Sequence, residues 1–268
     1  MYKFIIEYVF SNLKLMKKKE FNYAVDNNAN PSSNYEKERE VLLKEIINLK
    51  LPNHQISTLS ISRTEITNIL YYDKIYKKIL DKPGVIMEFG VQYGGALSTL
   101  IKLRGIYEPY NYTRDIIGFD TFEGFTNKLS SDEKKLKWKK GDYGVVKNFE
   151  KILEKFLNLE ESNSPLNWMK KFKLIKGDAS KTIEKFFKDY PHTVIGMAIF
   201  DMDVYYPTKK VLEIIKPRLF KGSVLVFDEL NHKSFPGETL VVMESIGLNN
   251  LRFNSFHGHN GGCWAIVE

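Results

Sequence analysis

Carboxylates recur at one kind of place in this chain, directly after a short apolar run. Val85-Ile86-Met87 leads into Glu88-Phe89-Gly90, and Ile116-Ile117-Gly118-Phe119 leads into Asp120. Phe172–Lys176 leads into Gly177-Asp178, Val194–Phe200 into Asp201-Met202-Asp203, and Ser223–Phe227 into Asp228-Glu229. Each run has strand length and is dominated by Val, Ile and Phe. The last two are nearly continuous, as strands buried on both faces of a parallel sheet must be. An acid at a strand end has no folding rationale, because an apolar side chain would pack better there. One such acid could cap a helix. Five in succession describe a site, since a doubly wound sheet binds its ligands beyond the carboxyl ends of its strands.

The first turn, Glu88-Phe89-Gly90-Val91-Gln92-Tyr93-Gly94-Gly95, has the glycines that let a backbone turn tightly and approach a ligand. Their spacing is G-x-x-x-G-G, so the pyrophosphate-binding G-x-G-x-x-G fingerprint is not matched. Asp120, after the second run, can accept from both hydroxyls of a ribose. A nucleoside cofactor without a pyrophosphate points to S-adenosylmethionine. Glu88, Gly90 and Gly94 would then line its turn, and Asp178 with Ala179 would meet the adenine edge.

These residues need elements to hold them. Thr64 to Ile79 carries apolar residues at helical spacing, and Lys82-Pro83-Gly84 stops that helix. Helical patterns follow the runs at Gly95–Leu103, Lys181–Lys188 and Thr208–Leu219. Leu251–Phe256 and Cys263–Val267 are two further strands, joined through a short loop containing His257-Gly258-His259, which predicts an antiparallel hairpin. The alternation predicts an α/β, Rossmann-like doubly wound sheet of about seven strands, mostly parallel with a C-terminal antiparallel hairpin. Residues 61–268 would form that domain. Residues 1–60 would be an N-terminal helical extension and linker. Within it, residues 1–20 read as an amphipathic helix ending in Lys17-Lys18-Lys19, and the Asn- and Ser-rich 21–40 stretch reads as the linker.

The composition, 43% hydrophobic and 27% charged, excludes wholesale disorder. A single cysteine, Cys263, excludes an internal disulfide framework. The N-terminal apolar stretch is broken by Glu7 and has no cleavage site, and no window approaches the ~20 apolar residues of a spanning helix. A cytoplasmic protein without stable membrane insertion is expected. The net charge of +7 invites an anionic partner. The lysines are interspersed with acids and no recognised RNA-binding module is visible, so a nucleic acid is not expected.

The chain resembles the class I S-adenosylmethionine-dependent methyltransferases, and among them the macrocin/mycinamicin sugar O-methyltransferase family. The resemblance spans roughly residues 62–267. It rests on Glu88-Phe89-Gly90-Val91 with Gly94-Gly95, on Asp120-Thr121-Phe122-Glu123-Gly124-Phe125, on Lys176-Gly177-Asp178-Ala179, on Asp201-Met202-Asp203-Val204-Tyr205 with Thr208, and on Phe227-Asp228-Glu229. Members from surface-polysaccharide clusters share Phe235-Pro236-Gly237-Glu238-Thr239.

The resemblance implies Mg²⁺, or another hard divalent cation, on Asp201, Asp228 and Glu229. Hard oxygen donors suit that ion. The family commonly has Asp-Asp where this chain has Asp228-Glu229. Zinc would want Cys or His, which are scattered here. The implied reaction moves a methyl group from the sulfonium to a sugar hydroxyl, on a nucleotide sugar or a surface-glycan precursor. Asp201, Asp203 and His232 are the candidates for taking the proton. Asp203 could instead cap the helix near Thr208. Glu123 could touch the ribose or the methionine end of the cofactor. Amine or small-molecule diol acceptors, and less so RNA, are the alternatives. A homo-oligomer is also implied. The basic segment Thr126–Val145, with Trp138 and Tyr143 but no strand or helix texture, reads as a surface loop or as a lid meeting an anionic substrate.

Overall fold

Five parallel strands bring the five acidic turns to one edge. The structure, a computed structural model, describes residues 32–259 and 262–268, and the expected helix over residues 1–20 lies outside them. The strands are β1 Val85–Phe89, β2 Ile116–Asp120, β3 Phe172–Lys176, β4 Ile195–Phe200, β5 Leu219–Phe227, β6 Arg252–Ser255 and β7 Cys263–Ile266. Their order in the sheet is β3-β2-β1-β4-β5-β7-β6, with β7 antiparallel to both β5 and β6. The expected doubly wound sheet with its C-terminal hairpin is therefore present.

Winding reverses between β1 and β4, and the register there is close. Phe89 lies opposite Phe119 in β2 and Phe200 in β4, and Phe200 lies opposite Phe227 in β5. The ladder continues past the strand ends. Asp201 N–H donates to the Phe89 carbonyl at 2.8 Å, Asp228 N–H to that of Phe200 at 3.2 Å, and Gly177 N–H to that of Asp120 at 2.8 Å. Each acidic turn is thus tied to its neighbour by backbone.

Beneath that edge the four phenylalanines stack across the strands. Ring centroids are 5.0 Å apart for Phe89–Phe119, 5.6 Å for Phe89–Phe200 and 5.3 Å for Phe200–Phe227. All four are fully buried, each worth about 1.5–3 kcal/mol of apolar burial. They form a dry floor directly under the acids.

The helices of the unit from Ile61 onward are α3 Arg63–Tyr76, α4 Gly95–Tyr107, α5 Ser131–Lys135, α6 Phe149–Ser162, α7 Ala179–Asp189, α8 Tyr205–Ile215 and α9 Gly237–Ser245; the N-terminal unit holds α1 Ser32–Asn48 and α2 Asn53–Ser60. The helix expected over 64–79 begins at Arg63 because Ser62 and Glu65 make a capping box, a reciprocal pair that satisfies two otherwise orphaned N–H groups.

Two sequence expectations need correction. The linker read over 21–40 is helical from Ser32 onward. Its Glu40–Lys44 pair at 2.7 Å has the i,i+4 spacing that favours a helix. The 126–145 segment contains a short helix, α5, capped by Ser130 with Glu133. The chain divides between Ser60 and Ile61 into two compact units, each with its own contacts.

Candidate active site

The left-handed backbone at Asp203 (φ +63°) folds the turn after β4 back on itself. Aspartate tolerates that conformation better than most residues. As a result Asp201, Asp203 and Glu229 each present a carboxylate oxygen within 4.8 Å of the others. Asp228 stands beside them, its carboxyl against that of Glu229. Among the described residues no lysine or arginine pairs with any of these four acids.

Crowding like charges over an apolar floor makes ionisation costly. Burial, then the neighbouring Asp228 and Asp203 charges, push the Asp201 carboxyl well above the carboxylate range. Burial pushes Asp203 up to about 7. Burial and the Asp203 and Asp228 charges push Glu229 up to about 12. Glu229 Oε2 is buried and accepts no hydrogen bond. Hard oxygen donors in this arrangement fit a divalent cation, whose charge would satisfy all of them at once.

Asp203 does not cap α8. Val204 holds the N-cap position without a side-chain bond, and the Tyr205 N–H donates instead to Glu133 Oε1 at 2.6 Å. Glu133 is buried and belongs to the 126–145 segment, so that segment is fastened to the turn carrying Asp201 and Asp203. Aromatic contacts add to the fastening. Trp138 packs on Phe235 at 5.1 Å and on Phe125 at 5.7 Å, and Tyr143 packs on Phe125 at 5.1 Å. His232, exposed, lies 5.0 Å from Phe235 on the rim of the acid cluster.

Glu238 is a site residue that the chemistry-first reading of the sequence passed over. It is fully buried, and its Oε2 accepts the Glu229 N–H at 3.1 Å. Thr239 Oγ1 accepts the Asn231 N–H at 2.7 Å. At Gly237 a Cβ would lie 2.7 Å from the Asp203 carbonyl oxygen. The Phe235–Thr239 stretch therefore braces both the turn after β4 and the turn after β5. The resemblance had marked that stretch, but only as a family signature.

The turn after β1 is the other half of the site. Glu88 is fully buried, and its Oε2 has no partner. Burial, then the Asp120 charge, hold its carboxyl well above the usual range. Such a group fits a cationic ligand, and the ammonium end of S-adenosylmethionine is one. Asp120 accepts from the Gln92 N–H at 2.7 Å and the Phe122 N–H at 2.5 Å. Both donors have left-handed backbone, so Asp120 holds two strained turns together as well as facing the site.

The glycines divide differently from expectation. A Cβ at Gly90 would sit 1.7 Å from the Asp201 carbonyl oxygen, and one at Gly94 would meet Leu153 at 2.5 Å. Protein atoms explain both. Only Gly95 of the three faces open space, with nothing within 4 Å. It begins α4, so its free N–H and the room before it form the place where the turn could receive a ligand.

Asp178 caps α7 by accepting from Ser180 N–H at 3.0 Å. Beside it a cavity of about 380 Å³ opens, lined also by Thr126, Tyr206 and Pro207. Ala179 starts α7 and is buried. Glu123 is exposed, 3.7 Å from Lys176, and the structure does not bring it to the cluster. His259 does approach. It stacks on Tyr71 at 4.2 Å with Nδ1 buried and unpartnered, and its charge acts on Asp228. His257 is exposed.

A mostly parallel seven-stranded sheet closed by an antiparallel pair, with its site at the strand ends, is the α/β methyltransferase fold. No protein-family model matches the sequence, and no curated protein matches it. Solved structures do. CalS11, a calicheamicin methyltransferase, is 34% identical with a TM-score of 0.79, over 87% of this chain and 92% of that one. Its apo form, described as a TDP-rhamnose 3'-O-methyltransferase of calicheamicin biosynthesis, is 33% identical with a TM-score of 0.74, over 87% and 94%. The O-methyltransferase NovP, 16% identical with a TM-score of 0.55 over 75% and 80%, shares the fold. The chain belongs to the O-methyltransferase family of CalS11.

Proposed function

We propose that this enzyme methylates a hydroxyl of a sugar, carried as a nucleotide sugar or a surface-glycan precursor, with the help of a divalent cation. The observation that carries this reading is the unpaired carboxylate cluster at the same sheet edge as the glycine turn. The CalS11 relative, described as acting on TDP-rhamnose, supports a sugar acceptor. A cluster of acids suits a hydroxyl acceptor beside a second oxygen better than it suits an amine. The Phe235–Thr239 stretch supports the polysaccharide-cluster branch.

Asp201, Asp228 and Glu229 would hold the cation. When bound, it supplies charge that lowers the pKa of a hydroxyl and orients its oxygen. Asp203 takes the hydroxyl proton at its carboxylate, which lies within 4.8 Å of the Asp201 and Glu229 oxygens. It is the carboxylate of the cluster left outside the proposed ligand set, so it is the one free to act as base. His232, out on the rim, lines the acceptor's path. S-adenosylmethionine supplies the methyl group. Glu88 would bind its ammonium, Gly95 leaves room for its carboxylate end, and Asp120 and Asp178 would accept from its ribose and adenine. The remaining work is positioning, because in-line methyl transfer needs alignment above all.

Among the described residues no helix is long and apolar enough to cross a membrane. We further propose self-association through the N-terminal unit, where Val41, Leu42 and Leu59 are exposed. Sedimentation of the full chain tests that. The acceptor is tested by incubating the enzyme with methyl-labelled S-adenosylmethionine and a nucleotide-sugar pool. Label in an O-methyl sugar supports the reading, and label only in amines or RNA overturns it.

A further inference from the structure

We propose that Trp138, Tyr143 and Phe235, with Lys137, Lys139 and Lys140, form an acceptor subsite for the base and diphosphate of a nucleoside diphosphate sugar. This rests on the sugar-acceptor reading above and goes on to the part of the acceptor that is not methylated. Three independent features converge on it.

The first is continuity with the acid cluster. His232 lies three residues after Glu229 and touches Phe235, and Phe235 touches Trp138. A row of rings thus leads outward from the place where the hydroxyl must sit. Trp138, Tyr143 and Phe235 are each only half-buried, so the row keeps apolar surface open to a ligand.

The second is unspent charge. Lys137, Lys139 and Lys140 are exposed and form no ion pair among the described residues. Lys135 beside them pairs with Asp132 at 2.8 Å, and Lys176 and Lys209 pair with Glu150 and Glu244 at 3.1 and 2.8 Å. A diphosphate is repelled by an acidic floor and needs cations beyond it. These three lysines flank Trp138 and supply them.

The third is rigidity. The segment is held by Glu133 on the Tyr205 N–H, by the Gly141 N–H on the Phe125 carbonyl at 2.9 Å, and by three rings around Trp138. A platform fixed in advance loses little freedom when a base stacks on it. Aromatic stacking and clustered lysines together match a nucleotide. A neutral glycan could stack on the rings but would leave the lysines without a partner, and a bare anion would need no rings.

The test is calorimetry on the full chain with TDP, UDP and inorganic pyrophosphate as probes, and S-adenosylhomocysteine as a control for the methyl-donor site. TDP or UDP is expected to bind saturably and more tightly than pyrophosphate. Trp138→Ala should weaken nucleotide binding about tenfold, Trp138→Phe should largely restore it, and S-adenosylhomocysteine affinity should not change. Replacing all three lysines by alanine should weaken nucleotide and pyrophosphate alike. The proposal is overturned if neither nucleotide binds while S-adenosylhomocysteine does, if Trp138→Ala binds nucleotide as the parent does, or if pyrophosphate binds as tightly as TDP. Methylation of an unphosphorylated glycan without nucleotide binding would sink this subsite and leave the sugar O-methyltransferase reading intact.

Discussion

Glu238 reaches back across nine residues to accept the backbone N–H of Glu229, while its second carboxylate oxygen, fully buried, has no partner. The acid that positions the β5 turn is thus a different residue from the three proposed to hold a cation. Glu238→Gln keeps an oxygen that can accept the same N–H, so it should retain most activity. Glu238→Ala leaves that N–H buried and unpaired. It should lower stability by about 1–3 kcal/mol and turnover by more than tenfold, read by thermal denaturation and by kcat. Equal loss in both variants would mean that the charge itself matters.

Gly90 and Gly95 should respond in opposite ways to alanine. At Gly90 the new Cβ would strike the Asp201 carbonyl from a left-handed backbone (φ +101°). Gly90→Ala should cost more than about 2 kcal/mol of folding stability. At Gly95 nothing of the protein is in the way, and alanine favours a helix by up to about 1 kcal/mol. Gly95→Ala should melt no lower than the parent yet bind S-adenosylhomocysteine more weakly. Unchanged affinity would remove the ligand from that end of α4.

Asp201 and Asp203 are two residues apart and are assigned different tasks. Asp201→Asn should abolish both Mn²⁺ binding, read by electron paramagnetic resonance, and turnover. Asp203→Asn should keep Mn²⁺ within a fewfold and lose turnover by about 10²–10⁴-fold, the usual worth of a general base. S-adenosylhomocysteine should bind both variants like the parent. Loss of Mn²⁺ in Asp203→Asn would move Asp203 into the ligand set, as its closeness to Asp201 and Glu229 allows.

Filling the cluster should stabilise the fold, since four buried acids crowded over phenylalanines can ionise together only when a cation balances them. Mg²⁺ at a hundredfold excess over its dissociation constant should add about 2.7 kcal/mol, seen as a rise in melting temperature. Asp201→Asn should lose that rise, and it should melt no lower than the parent without metal, because a neutral amide replaces a buried carboxyl that is costly to ionise.

The sheet was readable because its strands are β-branched and aromatic runs, and its acids were readable because they interrupt those runs at fixed places. What stayed hidden depends on contacts between distant segments. Glu133 looked like one more charge in a lysine-rich stretch, yet it bonds Tyr205, 72 residues on. Trp138 and Tyr143 were noticed, but their partner Phe235 lies on another turn. The Asp201 carbonyl oxygen that requires a glycine at position 90 comes from another strand end, so that requirement is visible only in the fold. Helix α6 has Asn148 at its N-cap, but in left-handed backbone and without a side-chain bond, and α9 has Pro236 there, which offers no side-chain cap. Glu123 matched a family signature and still ended on the surface beside Lys176.

In the proposed mechanism a cation held by these carboxylates is required for methyl transfer to a sugar hydroxyl. The direct measurement is label transfer from S-adenosylmethionine to a nucleotide-sugar acceptor after exhaustive chelation, followed by Mg²⁺ re-addition. Transfer should stop on chelation and return with Mg²⁺ in the parent, but not in Asp201→Asn. Full transfer that persists in the chelator would contradict it.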